Sequence, residues 1–298
     1  MMSKHYSFVI LHYCTIDDTL RCINSIKDNC RNSNYSIVVV DNASPNQSGS
    51  ILYNKYENDS EVHVLINSDN LGFANGNNVG FKYAKEKLEA DYIILCNNDT
   101  YLVQNNFINL IEEEYNVSKF AVLGPKIILK DNSINEVREN IVTIRQLKKE
   151  IRNKTIIYLL SIFYIDNIYN FFKLFIRNLL IKIKLKKVSN TDTNNVNIRQ
   201  ENIVLHGCFL IFSKNYIDLF DGIDDRTFLY LEEDLLAIRL KKYQLKSVYS
   251  PKLVICHDED GATNSFLSNN RKKNIFVSKN WLKSSKIVLS ELKRLEKK

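Results

Sequence analysis

Apolar positions in the first hundred residues follow two alternating rhythms. Short unbroken runs, SFVILHY at 7–13, YSIVVVD at 35–41, VHVLIN at 62–67 and YIILC at 92–96, read as strands buried on both faces. Between them, DDTLRCINSIKDN at 17–29 spaces Leu20, Ile23 and Ile26 as on one helix face, and GFANGNNVGFKYAKEKL at 72–88 reads as a helix despite its glycines. This alternation predicts an α/β domain with a mainly parallel sheet and helices on both faces. Such sheets bind ligands beyond the carboxyl ends of their strands. His12 and Tyr13 close the first run, Asp41 and Asn42 the second, and Asn97, Asn98 and Asp99 the fourth. One polar loop is turn chemistry, but three on one edge predict a site.

The rhythm breaks in the middle of the chain. TIIYLLSIFYI at 155–165 is apolar but too short to span a bilayer, and FFKLFIRNLLIKIKLKK at 171–187 mixes aromatic, aliphatic and lysine residues. Two readings stay open for 141–187: helices lying on an anionic membrane surface, or a helical hairpin packed on the domain with solvated lysines. SNTDTNNVN at 189–197 is a polar linker. Beyond it, 202–214 reads as one or two strands, LEEDLLAIRLKKYQ at 231–244 as an amphipathic helix, and 247–263 as a strand running into an acidic loop. The C-terminal WLKSSKIVLSELKRLEKK reads as a basic amphipathic helix. The predicted segments are therefore 1–140, 141–198, 199–265 and 266–298.

Charge sharpens this division. The 298-residue chain carries +7, yet 141–187 alone carries +9 from eleven Lys/Arg and two Asp/Glu, which leaves −2 for the rest. A hydrophobic content of 45% excludes a disordered chain. The apolar residues inside the basic segment suit a lipid surface better than a nucleic acid, so no nucleic-acid partner is expected. Six cysteines without a C-x-x-C pair predict buried, reduced thiols. With no secretory signal pattern at the N-terminus, a cytoplasmic protein is expected, with a peripheral place at the inner face of the plasma membrane.

Four features carry chemistry. Gly72, Gly76 and Gly80, with Ala84 continuing the row, form a smooth helix face, but the spacing is not the G-x-G-x-x-G of dinucleotide sites. That face predicts close packing on the sheet, with the amides of Asn75, Asn77 and Asn78 near the helix start. Asp99 suits a divalent cation shared with a diphosphate, or else a helix N-cap. Glu232, Glu233 and Asp234 open a helix, either as charges favourable there or as a source of a general base. His257 at a strand end is a structural histidine or a metal ligand. No Gly-rich, Lys/Arg-bearing phosphate loop follows the first strand, which argues against a nucleotidyltransferase.

Taken in order, these stretches resemble the inverting family-2 glycosyltransferases of GT-A fold, particularly their rhamnosyltransferase-like bacterial branch. The resemblance runs over about 6–130 and 200–264 and rests on VVVDNAS, NLGFANGNNVGFKYA, ILCNNDT, FLYLEED with Arg239, and His257 with Gly261 and Thr263. It implies a GT-A-type, mainly parallel twisted sheet flanked by helices, here carrying a basic helical insertion. It implies sugar transfer from a nucleotide diphosphate donor, dTDP-rhamnose or a UDP-sugar, to a glycan or lipid-linked glycan in surface polysaccharide synthesis. Glu233 would be the catalytic base, with Glu232 and Asp234 in reserve. Leu11, His12, Tyr13, Asp41, Asn42, Ser44, Asn70, Gly72, Asn77, Asn78 and Asn98 would bind the nucleotide-sugar. Asp99 and His257 would hold Mg2+ or Mn2+. Asn97 stands where the family's first metal carboxylate is expected, and Glu233 where it has Asp. The alternative is a GT-A-fold glycan-binding or scaffolding subunit that has lost catalysis.

Overall fold

The structure, a computed structural model, describes residues 4–163, 193–258 and 270–297. The four runs of the N-terminal third become β1 (His5–His12), β2 (Asn34–Asp41), β3 (Val62–Ile66) and β4 (Tyr92–Asn97). They pair in parallel, with β1 between β2 and β4 and β3 outside β2. Alternation explains why these runs are apolar throughout. Phe8, Ile10, Ile37, Val39 and Ile94 point into one core, and Val9, Val38, Val40, Ile93 and Leu95 into the other.

The first core is covered by α1 (Ile16–Asn29), α2 (Ser48–Tyr56) and α4 (Phe107–Ser118). The second is covered by α3 (Gly72–Glu86), the single turn α6 (Lys214–Ile217) and α7 (Glu232–Lys242). The sheet continues through β5 (Thr100–Leu102), β6 (Val122–Leu129), β7 (Gln200–Glu201), β8 (Phe209–Phe212) and β9 (Ser247–His257). Nine strands result, in the order β3-β2-β1-β4-β8-β6-β9-β5, with β7 paired to β9. β8 runs antiparallel to both β4 and β6, so the sheet is parallel in its first half and mixed in its second.

Close packing of α3 on the sheet follows from its small residues, as the sequence predicts. A Cβ at Gly80 would lie 2.3 Å from Val9 Cγ1 and 2.9 Å from Val40 Cγ2. Ala84, one turn on, is fully buried.

Two expectations need correction. The strand predicted at 202–214 forms only over 209–212, because 203–208 is irregular chain whose Ile203 and Leu205 pack into the second core. Asp99 is not a helix cap, since α4 starts later, with Asn106 at its N-cap position. The described part of the apolar block at 155–165 is the end of α5 (Ile144–Ile162), which starts at a capping box between Thr143 and Gln146. α5 packs against α8 (Asn270–Glu296), and both pack behind α7 through Leu147, Leu235, Ile238, Trp281 and Val288. The expectations for 164–187, Gly261 and Thr263 fall outside the described residues. Among the described residues no helix is long and apolar enough to cross a membrane.

Candidate active site

Strand register gathers the polar strand ends. His12 pairs with Asp41 and Leu11 with Asn97, so β1, β2 and β4 end level. Antiparallel β8 starts at the same edge, where Asn97 N donates to Cys208 O at 2.8 Å. β9 ends there too, because Thr100 pairs with His257. The two halves of the chain therefore deliver their chemistry to one edge.

On the β1–β2 side, buried polar groups form a floor. His12 is fully buried, with Nδ1 2.7 Å from Thr19 Oγ1 and Nε2 2.7 Å from Ser48 Oγ. Burial pulls its imidazole down to about 4, against the opposing pull of Asp41, so the ring is neutral at pH 7. Asp41 accepts from the Ser44 hydroxyl and amide. Asn42 is a hub. Its Nδ2 donates to Asn70 Oδ1 and Gly72 O, and its Oδ1 accepts from Leu71 N and Asn67 Nδ2. This ties the loop before α3 to the end of β2. Asn98 donates to the hydroxyls of Thr15 and Thr19 and holds the start of α1.

The predicted nucleotide-sugar residues thus divide in two. Leu11, Tyr13, Ser44 and Asn70 reach the surface, and Tyr13 and Asn70 hydrogen-bond through their side chains. His12, Asp41, Asn42, Gly72, Asn77, Asn78 and Asn98 lie beneath them. The amide of Asn77 donates to Phe73 O within α3. Asn78 clamps Ile223 on both sides, donating to its O at 2.9 Å and accepting from its N at 2.8 Å. Asn75 likewise donates to Asp225 O. The amides of α3 thereby fasten the chain leading to α7.

On the β4–β9 side stands an acid–imidazole pair. Asp99 Oδ1 lies 3.2 Å from His257 Nε2, and both residues are buried. The approach is close but not aligned as a hydrogen bond, so Asp99 Oδ1 keeps no hydrogen-bond partner among the described residues, and neither does His257 Nδ1. Asp18 and Asp258 stand near. Burial raises the Asp18 carboxyl, Arg21 opposes that rise, and the Asp99 and Asp258 charges add to it. Arg21 is held by Asp258 at 2.5 Å and lies over the Tyr101 ring. Asp18 and Asp258 both pair with Arg21, so the carboxylate oxygen left without a partner here is the buried Asp99 Oδ1. Among the described residues no three His, Cys, Asp or Glu side chains cluster tightly enough to cage a metal alone. Asp99 and His257 would therefore hold a cation only with ligands supplied from outside the protein.

The three carboxylates of α7 have separate fates. Asp234 is buried and turned to the back, paired with Arg138 at 3.1 Å and close to Val142 N. Glu232 is largely buried, and burial pushes its carboxyl up to about 7. Glu233 is half-buried, and its Oε1 accepts from Gly207 N at 2.6 Å. Beside it, His206 Nδ1 lies 3.9 Å from Glu233 Oε1 and accepts from Cys208 N at 3.1 Å. The His206 ring meets the His257 ring edge-on at 6.0 Å. Glu233, His206, His257 and Asp99 thus form one row across the edge. His206 and Gly207 are not foreseen from the sequence, nor are Thr19 and Ser48 under His12. The one available signal is a His-Gly pair at the head of a strand.

The glycosyl transferase family 2 profile matches residues 7–184, more than half of the chain. The chain belongs to that family. Its sheet, parallel over β1 to β4 and mixed beyond, has the GT-A-type arrangement the resemblance implies. A dTDP-rhamnosyl transferase, RfbF of Shigella flexneri, is 27% identical over 133 residues, which cover 45% of this chain and 42% of that protein. The match thus spans less than half the length of this curated relative. Among solved structures, S. aureus TarS 1-349 matches at TM-score 0.48 and 15% identity, over 97% of this chain and 70% of that one. Its complex with UDP-GlcNAc matches at TM-score 0.37 and 20% identity, over 47% and 40%. In this family-2 chain the matched span ends before β8, α7 and β9, so Glu233, His206 and His257 lie beyond it.

Proposed function

We propose that this family-2 protein is an inverting glycosyltransferase. It moves a sugar from a nucleotide diphosphate donor, dTDP-rhamnose or a UDP-sugar, to a hydroxyl of a glycan or lipid-linked glycan in bacterial surface polysaccharide synthesis. The observation that carries the reading is the row across the sheet edge. A half-buried carboxylate, Glu233, stands at one end and the buried Asp99–His257 pair at the other.

The nucleotide lies over Leu11, Tyr13, Ser44 and Asn70, above the floor of His12, Asp41 and Asn42. Glu233 removes the proton of the acceptor hydroxyl as its oxygen attacks the anomeric carbon from the face opposite the diphosphate. One in-line displacement inverts the configuration and needs no enzyme nucleophile. Asp99 and His257 would hold Mg2+ or Mn2+, which when bound offsets negative charge on the departing diphosphate. Glu232 and Asp234 are less suited to be the base, one largely buried and the other paired with Arg138.

The rhamnosyl donor is favoured by the sequence match to a dTDP-rhamnosyl transferase. Thermal-shift screening of a nucleotide-sugar panel with Mg2+ and Mn2+ identifies donor and metal together. With the donor known, Glu233→Gln is expected to lower kcat by about 10²–10⁴-fold while leaving donor affinity in place. Equal turnover by wild type and variant would remove Glu233 from the role. Through 141–187 the enzyme stays beside its acceptor at an anionic membrane.

A further inference from the structure

We infer that the antiparallel pair of α5 and α8 is a docking surface for an anionic lipid bilayer. The inference rests on the membrane reading of the proposed function and assigns that contact to particular residues of two helices far apart in sequence. The pair is antiparallel because the start of α8 meets the end of α5: Arg271 donates to the carbonyls of Ser161 and Ile162. Its inner faces are apolar and buried, with Leu147 of α5 joining Trp281 and Val288 of α8.

The outward stripe of α5 is divided along its length. Arg145, Lys149 and Arg152 are exposed on the N-terminal half, and Ile156, Leu159 and Phe163 continue the same row at helical spacing. Those last three are 42%, 47% and 66% exposed, so the apolar half of the stripe is left open by the described residues. α8 adds a second cationic row, Lys279, Lys283, Lys286 and Lys293, all exposed. Among the described residues none of these seven cations forms an ion pair with a carboxylate, whereas Arg226, Arg239 and Arg199 elsewhere all do.

This chemistry fits the lipid–water boundary. From Arg152 to Leu159 the axis advances about 10 Å, so a helix inclined to the bilayer sets its cations above its apolar end. Cations on the outer part meet anionic headgroups, and Ile156, Leu159 and Phe163 enter the apolar layer. A nucleic acid would answer the cations and leave the apolar half unexplained.

The test is co-sedimentation of the full chain with phosphatidylcholine vesicles, with and without phosphatidylglycerol. Wild type should bind the anionic vesicles and release as salt rises. The double variant Ile156→Ser/Leu159→Ser and the triple variant Lys279→Glu/Lys283→Glu/Lys286→Glu should each lose about tenfold or more in binding. Their melting temperature and donor turnover on a soluble acceptor should be unchanged, which shows that they fold. Failure of wild type to bind anionic vesicles overturns the whole membrane reading. Binding by wild type that both variants retain overturns this surface alone and leaves the reading on other residues. Tighter binding to polyuridylate than to vesicles, unaffected by the Ile156→Ser/Leu159→Ser change, also overturns it.

Discussion

Glu232 and Glu233 are neighbours with opposite environments, and pH separates them. The Glu232 carboxyl ionises near 4.5 in an unfolded chain but is pushed up to about 7 in the fold by burial. Between these values the unfolded chain gives up its proton first, so rising pH favours unfolding and stability falls. Glu232→Gln removes the effect. Its melting temperature should overtake that of wild type as pH rises from 4.5 to 7, by at most roughly 3 kcal/mol of stability. Thermal melts of both proteins at closely spaced pH values check this, and parallel curves would refute it. His206 acts at the same scale. Its Nδ1 accepts from Cys208 N, beside the Gly207 N that fixes Glu233. His206→Ala should lower kcat about tenfold with little change in donor KM. His206→Asn, which keeps an acceptor near Nδ1, should recover most of that loss in steady-state assays. The sequence made Asp99, His257 and the acidic triplet visible because each sits at a predicted strand or helix end. It hid His206, whose partner Glu233 arrives from another element, and it could not tell that Thr19 and Ser48 would take both ring nitrogens of His12.

Elements, rather than single residues, decide where Glu233 stands. Just before α7, Tyr230 and Leu231 both adopt positive φ, at 74° and 68°. Each such non-glycine residue costs on the order of 1–3 kcal/mol and persists only when its surroundings impose it. Here Phe73 N binds Phe228 O and the Ser284 hydroxyl binds Leu229 O, so α3 and α8 grip the strained turn from two sides. Asn78 adds a third hold at Ile223. Gly222, next to it, has φ 147°, and a Cβ there would fall 2.2 Å from Asn78 Oδ1. Gly222→Ala should destabilise by about 2 kcal/mol or more, with loss of turnover as α7 shifts. Urea denaturation gives the first figure and steady-state kinetics the second. An unchanged midpoint would show that the clamp does not matter. The periodicity marks α1, α3 and α7 to within two or three residues, because each carries a buried face of ordinary spacing. It does not show that the amides of α3 reach across to the chain before α7. They look identical to ligand-binding amides until the fold brings Ile223 to them.

For the molecule as a whole, α8 supports α7 from behind although it contributes no strand to the sheet. Trp281 is 8% exposed and packs with Leu235 and Ile238 on the back of α7. Trp281→Ala should cost about 3–5 kcal/mol. Because the cavity opens behind α7, kcat should fall as well, which chemical denaturation and transfer assays on one preparation reveal together. Charge counting located the basic middle of the chain but could not show that α5 binds α8, since no spacing links an internal helix to a C-terminal one. One sheet carries strands from both halves, β4 against β8 and β6 against β9.

That interleaving sets an order of assembly. β1, β2, β3 and β4 are joined by local crossovers and can form while the chain is being made, so the polar floor of His12, Asp41 and Asn42 needs only early residues. The Asp99–His257 pair needs β5 to find β9, a contact of long loop closure. A nascent chain halted before β9 would hold that floor without the pair, and on the proposed function it would bind a nucleoside before it could transfer a sugar.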